Sequence, residues 1–492
     1  MALKLRVFTF FSLVAALFLG YVLILSIFIK TPEVVGFPAF IVLPVIVAAL
    51  LIFGIFCNTI INGKLITDIL YIIILLISSF ITRFLWIYLV PTDPSSDFYL
   101  YYDYAVKASK GLFTQYDATY PLFPFKFGYP LIVSLAFRLF GSSVWVAKMI
   151  NVIVSVATAL LLYSIALKIA GKRVGRIAGI LYTFWPAQIM YTSVLASEHM
   201  FILFSLISVY FFIRLIQSKS SIHRNAYAVI IGISLAVSQF VRPLSLLYLG
   251  IYIFFIFLYP KWHGLTKRDL ISKGLIVSTL IVTYLIGWTS LTSFVEGYTK
   301  VPISKSSSGF SFLVGTNFDS SGMYNQADAN ILEEFNYDVK KVHQESAKRA
   351  VNRIINYPIG FLNLMERKFI IQWTSDNYGF YWSTIDFTYK TDFTTLLKEE
   401  YKQFQRTSQL YYLVILIFAF LGLIFLIRDK KEGNYIWIVF ILVFLGTVGA
   451  FTLFEVQDRY HYPVIPFLII MAGHGMYQSF EKIKLYRSAN KV

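Results

Sequence analysis

Cysteine occurs once in this chain, at Cys57, which excludes an intrachain disulfide. With no CxxC pair and no Cys/His cluster, nothing suggests a zinc site. Charge is scarce as well: Asp, Glu, Lys and Arg supply 14% of the 492 residues, against 58% apolar ones, and the mean hydropathy is +0.68. A soluble chain of this length would form roughly two to four domains. Here apolar stretches of about 20 residues recur instead, the length that crosses a bilayer. Acidic residues are the rarer sign, 26 against 43 Lys and Arg, for a net charge of +17. The basic residues fall mainly in short loops between apolar stretches. Membrane sidedness accounts for that excess, and nucleic-acid binding is not expected.

The opening MALKLR is followed by apolar residues from Val7 to Ile29. That run is too long for a cleaved signal peptide and no small-x-small site follows it, so a retained span is expected. Twelve spans are predicted: 7–29, 37–56, 65–90, 143–169, 177–194, 197–216, 225–241, 244–259, 272–294, 410–427, 434–454 and 463–480. The segment 126–140, KFGYPLIVSLAFRLF, decides the topology. Were it to span, Lys172, Arg173 and Arg176 would face the outer side, and Arg138 would cost about 2.5–3.5 kcal/mol near a span centre. An interfacial helix is expected there. The loops 171–176, 214–225, 261–273 and 428–433 and the tail 482–492, all basic, then fall inside. The loop 91–142, the long loop 295–409 and the turn 455–462 fall outside. Within the long loop, 327–356 reads as helical and 357–373 as amphipathic.

The few ionisable residues gather in the expected outer half: Asp93, Asp97, Asp103, Glu198, His199, Arg242, Glu455, Asp458, Arg459 and His461. Span interiors are nearly free of them, unlike a proton- or sodium-coupled transporter. Asp97, in the Ser95–Gly111 run rich in tyrosine, suits a general base toward a hydroxyl; it equally suits an N-cap for a helix 98–110. Tyr101, four residues on, shares its helical face, while Asp103 suits a solvated helix. Arg242 before Pro243 suits a lipid phosphate or an interfacial anchor. Arg459 and His461 flank Tyr460 at the proline-led start of a span, a candidate phosphate cradle. Glu198 and His199 open another span, where a Glu stabilises the first turn and His199 suits a buried contact. The loop 315–325, with Asn317, offers polar groups for sugar hydroxyls, although turns share that composition.

In order along the chain, SDFYLYYDYAVKASKG, YPLFPFKFGYPLIVSLAFRLFG (120–141), VAKMINVIVS (146–155), SEH (197–199), VRP (241–243), VGTNFDSSGMYN (314–325) and DRYHYPVIPFLII (458–470) resemble the GT-C superfamily of polyprenyl-phosphate-sugar-dependent glycosyltransferases. The pattern is most similar to the bacterial protein O-mannosyltransferase-like branch, which includes the lipid A aminoarabinose transferases. The resemblance implies an all-α polytopic fold with interfacial helices in the first outer loop. It implies that Asp97 is the base or acceptor-positioning group, and that Arg242 and Arg459 contact the donor phosphate. Where that family often carries a second acidic residue beside the aspartate, this chain has Phe98, so the resemblance leaves any divalent-metal requirement open. The spans 7–29 and 37–56 would precede the family's usual first span.

The expected organisation is an N-terminal pair of extra helices (1–64), a GT-C-like core (65–294), an outer loop region (295–409) and C-terminal helices with a basic tail (410–492). The expected protein is a plasma-membrane glycosyltransferase with its site at the extracytoplasmic face. Asp97 serves as base, Arg242, Arg459 and His461 hold phosphate, and Asp103, Tyr101, Glu198, His199 and Asn317 line the substrate. Its partners would be a polyprenyl-phosphate-sugar and a hydroxyl acceptor: wall polymer, glycolipid or protein. No cofactor is called for. An O-antigen-type ligase or polymerase and a lipid-linked glycan flippase are the alternatives.

Overall fold

Long apolar runs cannot leave backbone amides unpaired in a bilayer, so they close into helices. In this computed structural model, which describes residues 2–28, 67–258, 267–303, 308–429 and 435–489, they do so throughout. Seven helices are long and apolar enough to cross a membrane: 6–28, 68–89, 144–170, 198–217, 221–241, 269–299 and 401–428. Two shorter apolar helices, Ser245–Leu258 and Trp437–Leu453, add to them. The chain is read as a multi-pass membrane protein. The expected count of twelve spans is not reached among the described residues; the expected span 37–56, with Cys57 and Lys64, lies outside them. Apart from a lone bridge between Thr92 and Phe387, the described residues contain no β pairing.

The elements that position the site are α1 (Asp68–Leu89), α2 (Ser96–Ser109), α3 (Gly128–Phe140), α4 (Val144–Ala170), α5 (Lys172–Thr183), α6 (Pro186–Tyr191), α7 (Glu198–Gln217) and α8 (Ser221–Val241). They continue with α9 (Pro358–Trp373), α10 (Tyr378–Thr384), α11 (Tyr401–Arg428), α12 (Trp437–Leu453) and α13 (Ile465–Ala489). Helix α3 has 13 residues, about 20 Å at 1.5 Å per residue, too short for a hydrocarbon core of about 30 Å. Instead Arg138 donates to the carbonyls of Ala108 (3.1 Å) and Ser109 (3.2 Å), closing the end of α2. Leu139 and Phe140 stay exposed beside it, an apolar edge that suits a membrane surface.

The predicted span 177–194 is broken rather than continuous. Pro186 disfavours helical geometry at Trp185, which is extended (φ −72°, ψ 111°), and the chain restarts as α6. The carbonyls freed at the break need donors. Arg83 of α1, fully buried, supplies them, donating to Tyr182 (3.0 Å) and Thr183 (2.9 Å) as well as to Ser155 (2.6 Å) and Gln188. A charge inside a span is thereby consumed by the fold. The stretch expected as one helix over 327–356 is also split, into turns at Gln326–Ala329 and Ile331–Glu334 and a helix at Val339–Asn356. Asn336 and Tyr337 between them take positive φ (48° and 57°).

Candidate functional site

The ends of α1, α8 and α12 and the starts of α4, α7 and α13 meet at one end of the bundle, because successive spans reverse direction. The loops joining them carry the polar residues. Asp97 lies in the first turn of α2 but does not cap it: Ser95 is the N-cap residue, without a side-chain cap bond. The carboxylate instead accepts from Lys126 at 3.0 Å. Ser96, just before it, has φ 52°, a left-handed conformation uncommon for serine. Lys126 sits in the short turn Pro124–Phe127 ahead of α3. Gly128, which follows, lets that turn press against the end of α8: a Cβ there would collide with the Phe240 carbonyl. That contact brings Lys126 toward Arg242.

Arg242 ends α8 in an extended conformation (φ −150°, ψ 138°), as a residue before proline prefers. Its guanidinium reaches Glu198, in the first turn of α7, at 2.5 Å. Arg459, on the 3-10 turn Asp458–Val464, approaches the same carboxylate oxygen with Nε at 3.9 Å. Its charge lies over the rings of Phe98 (4.9 Å) and Trp382 (5.1 Å), while Arg242 lies over Tyr460 (5.3 Å). Arg459 is 6% exposed, yet its Nε makes no hydrogen bond. A buried donor left without an acceptor costs about 1–3 kcal/mol and asks for an explanation.

Burial works against ionising Asp97, but the charges of Lys126, Arg459 and Arg242 outweigh it and hold the carboxyl below its usual range. Glu455 behaves in the opposite way: burial pushes it up, although Gln457 (2.9 Å) and Tyr460 (3.2 Å) donate to it. Tyr101, 6% exposed, is raised by burial and by Asp97 and Glu198, so its phenol stays protonated. Lys126, Arg242 and Arg459 thus face the carboxyl groups of Asp97, Glu198 and Glu455, the last of which burial discourages from ionising, and the guanidinium groups suit an anion.

The structure therefore brings together Asp97, Tyr101, Glu198, Arg242 and Arg459, and leaves the other expected residues elsewhere. His461 faces away from the cluster, with Nδ1 2.6 Å from the Gln372 carbonyl and Nε2 3.1 Å from Asp376. Both ring nitrogens are engaged, which leaves none for a phosphate. His199 is engaged in the same way, through the Tyr191 carbonyl (3.0 Å) and the Tyr462 hydroxyl (3.2 Å). Asp103 pairs with Lys107 one turn on, at 2.7 Å, on the half-exposed face of α2. Asn317 is tied into its own loop, donating to Asp328 (2.9 Å), which also holds Arg353. Glu455, expected in the outer half but given no role, belongs to the cluster, as do Lys126 and Trp382, which were not anticipated. Among the described residues no group of three or more His, Cys, Asp or Glu is placed to hold a metal ion.

Residues 124–288 match the family model for dolichyl-phosphate-mannose-protein mannosyltransferase. That match bears out the resemblance to GT-C glycosyltransferases over this segment, which holds Lys126, Glu198 and Arg242. No curated protein matches the chain. Among solved structures, the apo oligosaccharyltransferase of Archaeoglobus fulgidus aligns at 13% identity and TM-score 0.48, over 87% of this chain and 52% of its own. ArnT from Cupriavidus metallidurans bound to undecaprenyl phosphate aligns at 11% identity and TM-score 0.36, over 84% and 78%. The chain thus spans about half the length of the archaeal enzyme.

Proposed function

We propose that this protein is a membrane glycosyltransferase that moves a sugar from a polyprenyl-phosphate donor to a hydroxyl acceptor at the extracytoplasmic face. One observation carries the reading. Beside an ionised aspartate stand Lys126, Arg242 and Arg459, and the last has a buried N–H with no acceptor. The phosphodiester of a polyprenyl-phosphate sugar supplies the missing oxygens, and guanidinium groups suit it. The family match at 124–288 supports a lipid-phosphate-linked sugar as the donor class.

In the resting site Lys126 occupies Asp97. An arriving phosphate gives Lys126 a stronger anionic partner beside Arg242 and Arg459, and Asp97 becomes free to accept a hydrogen bond from the acceptor hydroxyl. The acceptor oxygen then attacks the anomeric carbon, and the bond from that carbon to the phosphate oxygen breaks. The electron pair stays on the departing polyprenyl phosphate, whose growing charge the cations neutralise. The proton passes from the hydroxyl to Asp97. Sidedness is supported by the opposite end of the bundle, where Lys168, Lys172, Arg173, Arg176, Arg214, Arg224 and Arg428 collect near helix ends, as cytoplasmic loops do. Arg83, the arginine inside α1, is spent on backbone carbonyls and lines no polar path, which favours transfer over export. The test is incubation of the purified protein with a panel of polyprenyl-phosphate sugars and membrane acceptors. Release of polyprenyl phosphate coupled to glycosylated acceptor is expected; no turnover of any lipid-phosphate sugar would contradict the reading.

A further inference from the structure

We propose that Asp376 and His461 form a latch, closed by one shared proton, that positions Arg459 and its Trp382 wall to receive phosphate. The inference rests on the phosphate role given to Arg459 above. His461 lies two residues beyond Arg459 on the 458–464 turn. Asp376 lies two residues ahead of α10, the short helix that carries Trp382. Their contact joins the turn that carries Arg459 to the segment that carries Trp382, one of the two rings against which the Arg459 guanidinium rests. Gly379 lets α10 press onto α6, since a Cβ there would strike the Ala187 carbonyl, so the aromatic wall is braced from behind.

The hydrogen bonds fix the proton count. A carbonyl oxygen only accepts, so His461 Nδ1, at 2.6 Å from Gln372 O, carries a hydrogen. His461 Nε2 and Asp376 Oδ1 are 3.1 Å apart, which calls for a second hydrogen between them. The other carboxyl oxygen accepts from Trp185 Nε1 at 2.7 Å. Whichever atom owns the shared hydrogen, carboxyl and imidazole together carry no net charge. That is the form a fully buried pair tolerates, and both residues are fully buried. The backbone of Asp376 is held independently, its N–H by Gln409 (3.1 Å) and its carbonyl by Ser408 (2.9 Å), both on α11. Around the pair stand Asp458 on the same turn, Tyr378 on α10 and Tyr412 on α11. None of these brings a positive charge to replace the proton. Losing it leaves a carboxylate against an imidazole lone pair, and the latch opens.

The experiment measures binding of undecaprenyl phosphate to the full-length protein in nanodiscs across pH, for wild type, Asp376→Ala, Asp376→Asn and Arg459→Ala. Asp376→Ala is expected to weaken binding about tenfold or more, the size of one lost charge-assisted hydrogen bond. In Asp376→Asn the amide donates to neutral His461 and accepts from Trp185. It should bind within about threefold of wild type at neutral pH and lack the fall with rising pH that loss of the shared proton predicts for wild type. Wild-type binding that stays flat into the alkaline range, or an unchanged alkaline fall in Asp376→Asn, overturns the latch. So does normal binding by Asp376→Ala beside weak binding by Arg459→Ala. Should Asp376→Ala fail to fold, the asparagine profile decides alone. Normal binding by Arg459→Ala overturns the phosphate reading itself, and that result is distinct from the others.

Discussion

Glu198→Gln separates the cost of holding two guanidinium groups together from the benefit of offering them to a phosphate. The Glu198 side chain is 2% exposed, and its partners Arg242 and Arg459 are 15% and 7% exposed. At an effective dielectric near 20, attraction across 2.5 Å is about 6–7 kcal/mol, and across 3.9 Å about 4 kcal/mol. Desolvation of the three groups offsets much of this, so the variant should lose about 3–5 kcal/mol, the usual cost of breaking a buried pair from one side. The two guanidinium groups then lose their paired carboxylate and keep only the more distant Asp97, and a phosphate becomes the best substitute. Thermal unfolding of the purified protein, with and without undecaprenyl phosphate, reads both effects. The variant should unfold well below wild type alone, and the lipid should raise its unfolding temperature by more than it raises that of wild type. Unchanged stability, or a smaller rise with lipid, would refute the reasoning.

Lys126→Met removes a cation that helps keep Asp97 ionised. A carboxyl held low stays charged as pH falls, until the pH passes its folded-state value; without Lys126 that point moves upward. The acidic limb of the pH–rate profile should shift to higher pH, and stability that the Asp97 charge contributes should be lost earlier on acidification. An unmoved limb would separate Lys126 from Asp97. Arg242→Ala should abolish use of the lipid-phosphate donor while the protein still inserts and purifies as wild type; unchanged donor affinity would remove Arg242 from the phosphate site.

The long helices were legible because bilayer length and backbone pairing leave apolar runs little choice. Arg138 disclosed the short α3 for the same reason, since a charge in so brief a run cannot rest in hydrocarbon. The meeting of Asp97, Glu198, Arg242 and Arg459 followed from scarcity: few charges were present, and alternation of spans sent them to one end. Direction within that end was not legible. His461 and Arg459 are two residues apart on one turn, and only packing decides that one faces Glu198 and the other Asp376. Lys126 lies 29 residues from Asp97, and no periodicity links them. Pro186 did mark the break in 177–194, but the apolar composition around it read as a single span. Arg83 was hidden because its partners are backbone carbonyls that exist only once that break has formed.

The central claim is that Asp97 takes the proton of an acceptor whose sugar leaves the phosphate held by Lys126, Arg242 and Arg459. Its most direct measurement is single-turnover transfer from a polyprenyl-phosphate sugar, comparing wild type with Asp97→Asn at matched lipid occupancy. The variant should bind donor and fold as wild type, yet transfer about 10²–10⁴ times more slowly. Transfer at the wild-type rate by Asp97→Asn would contradict the account.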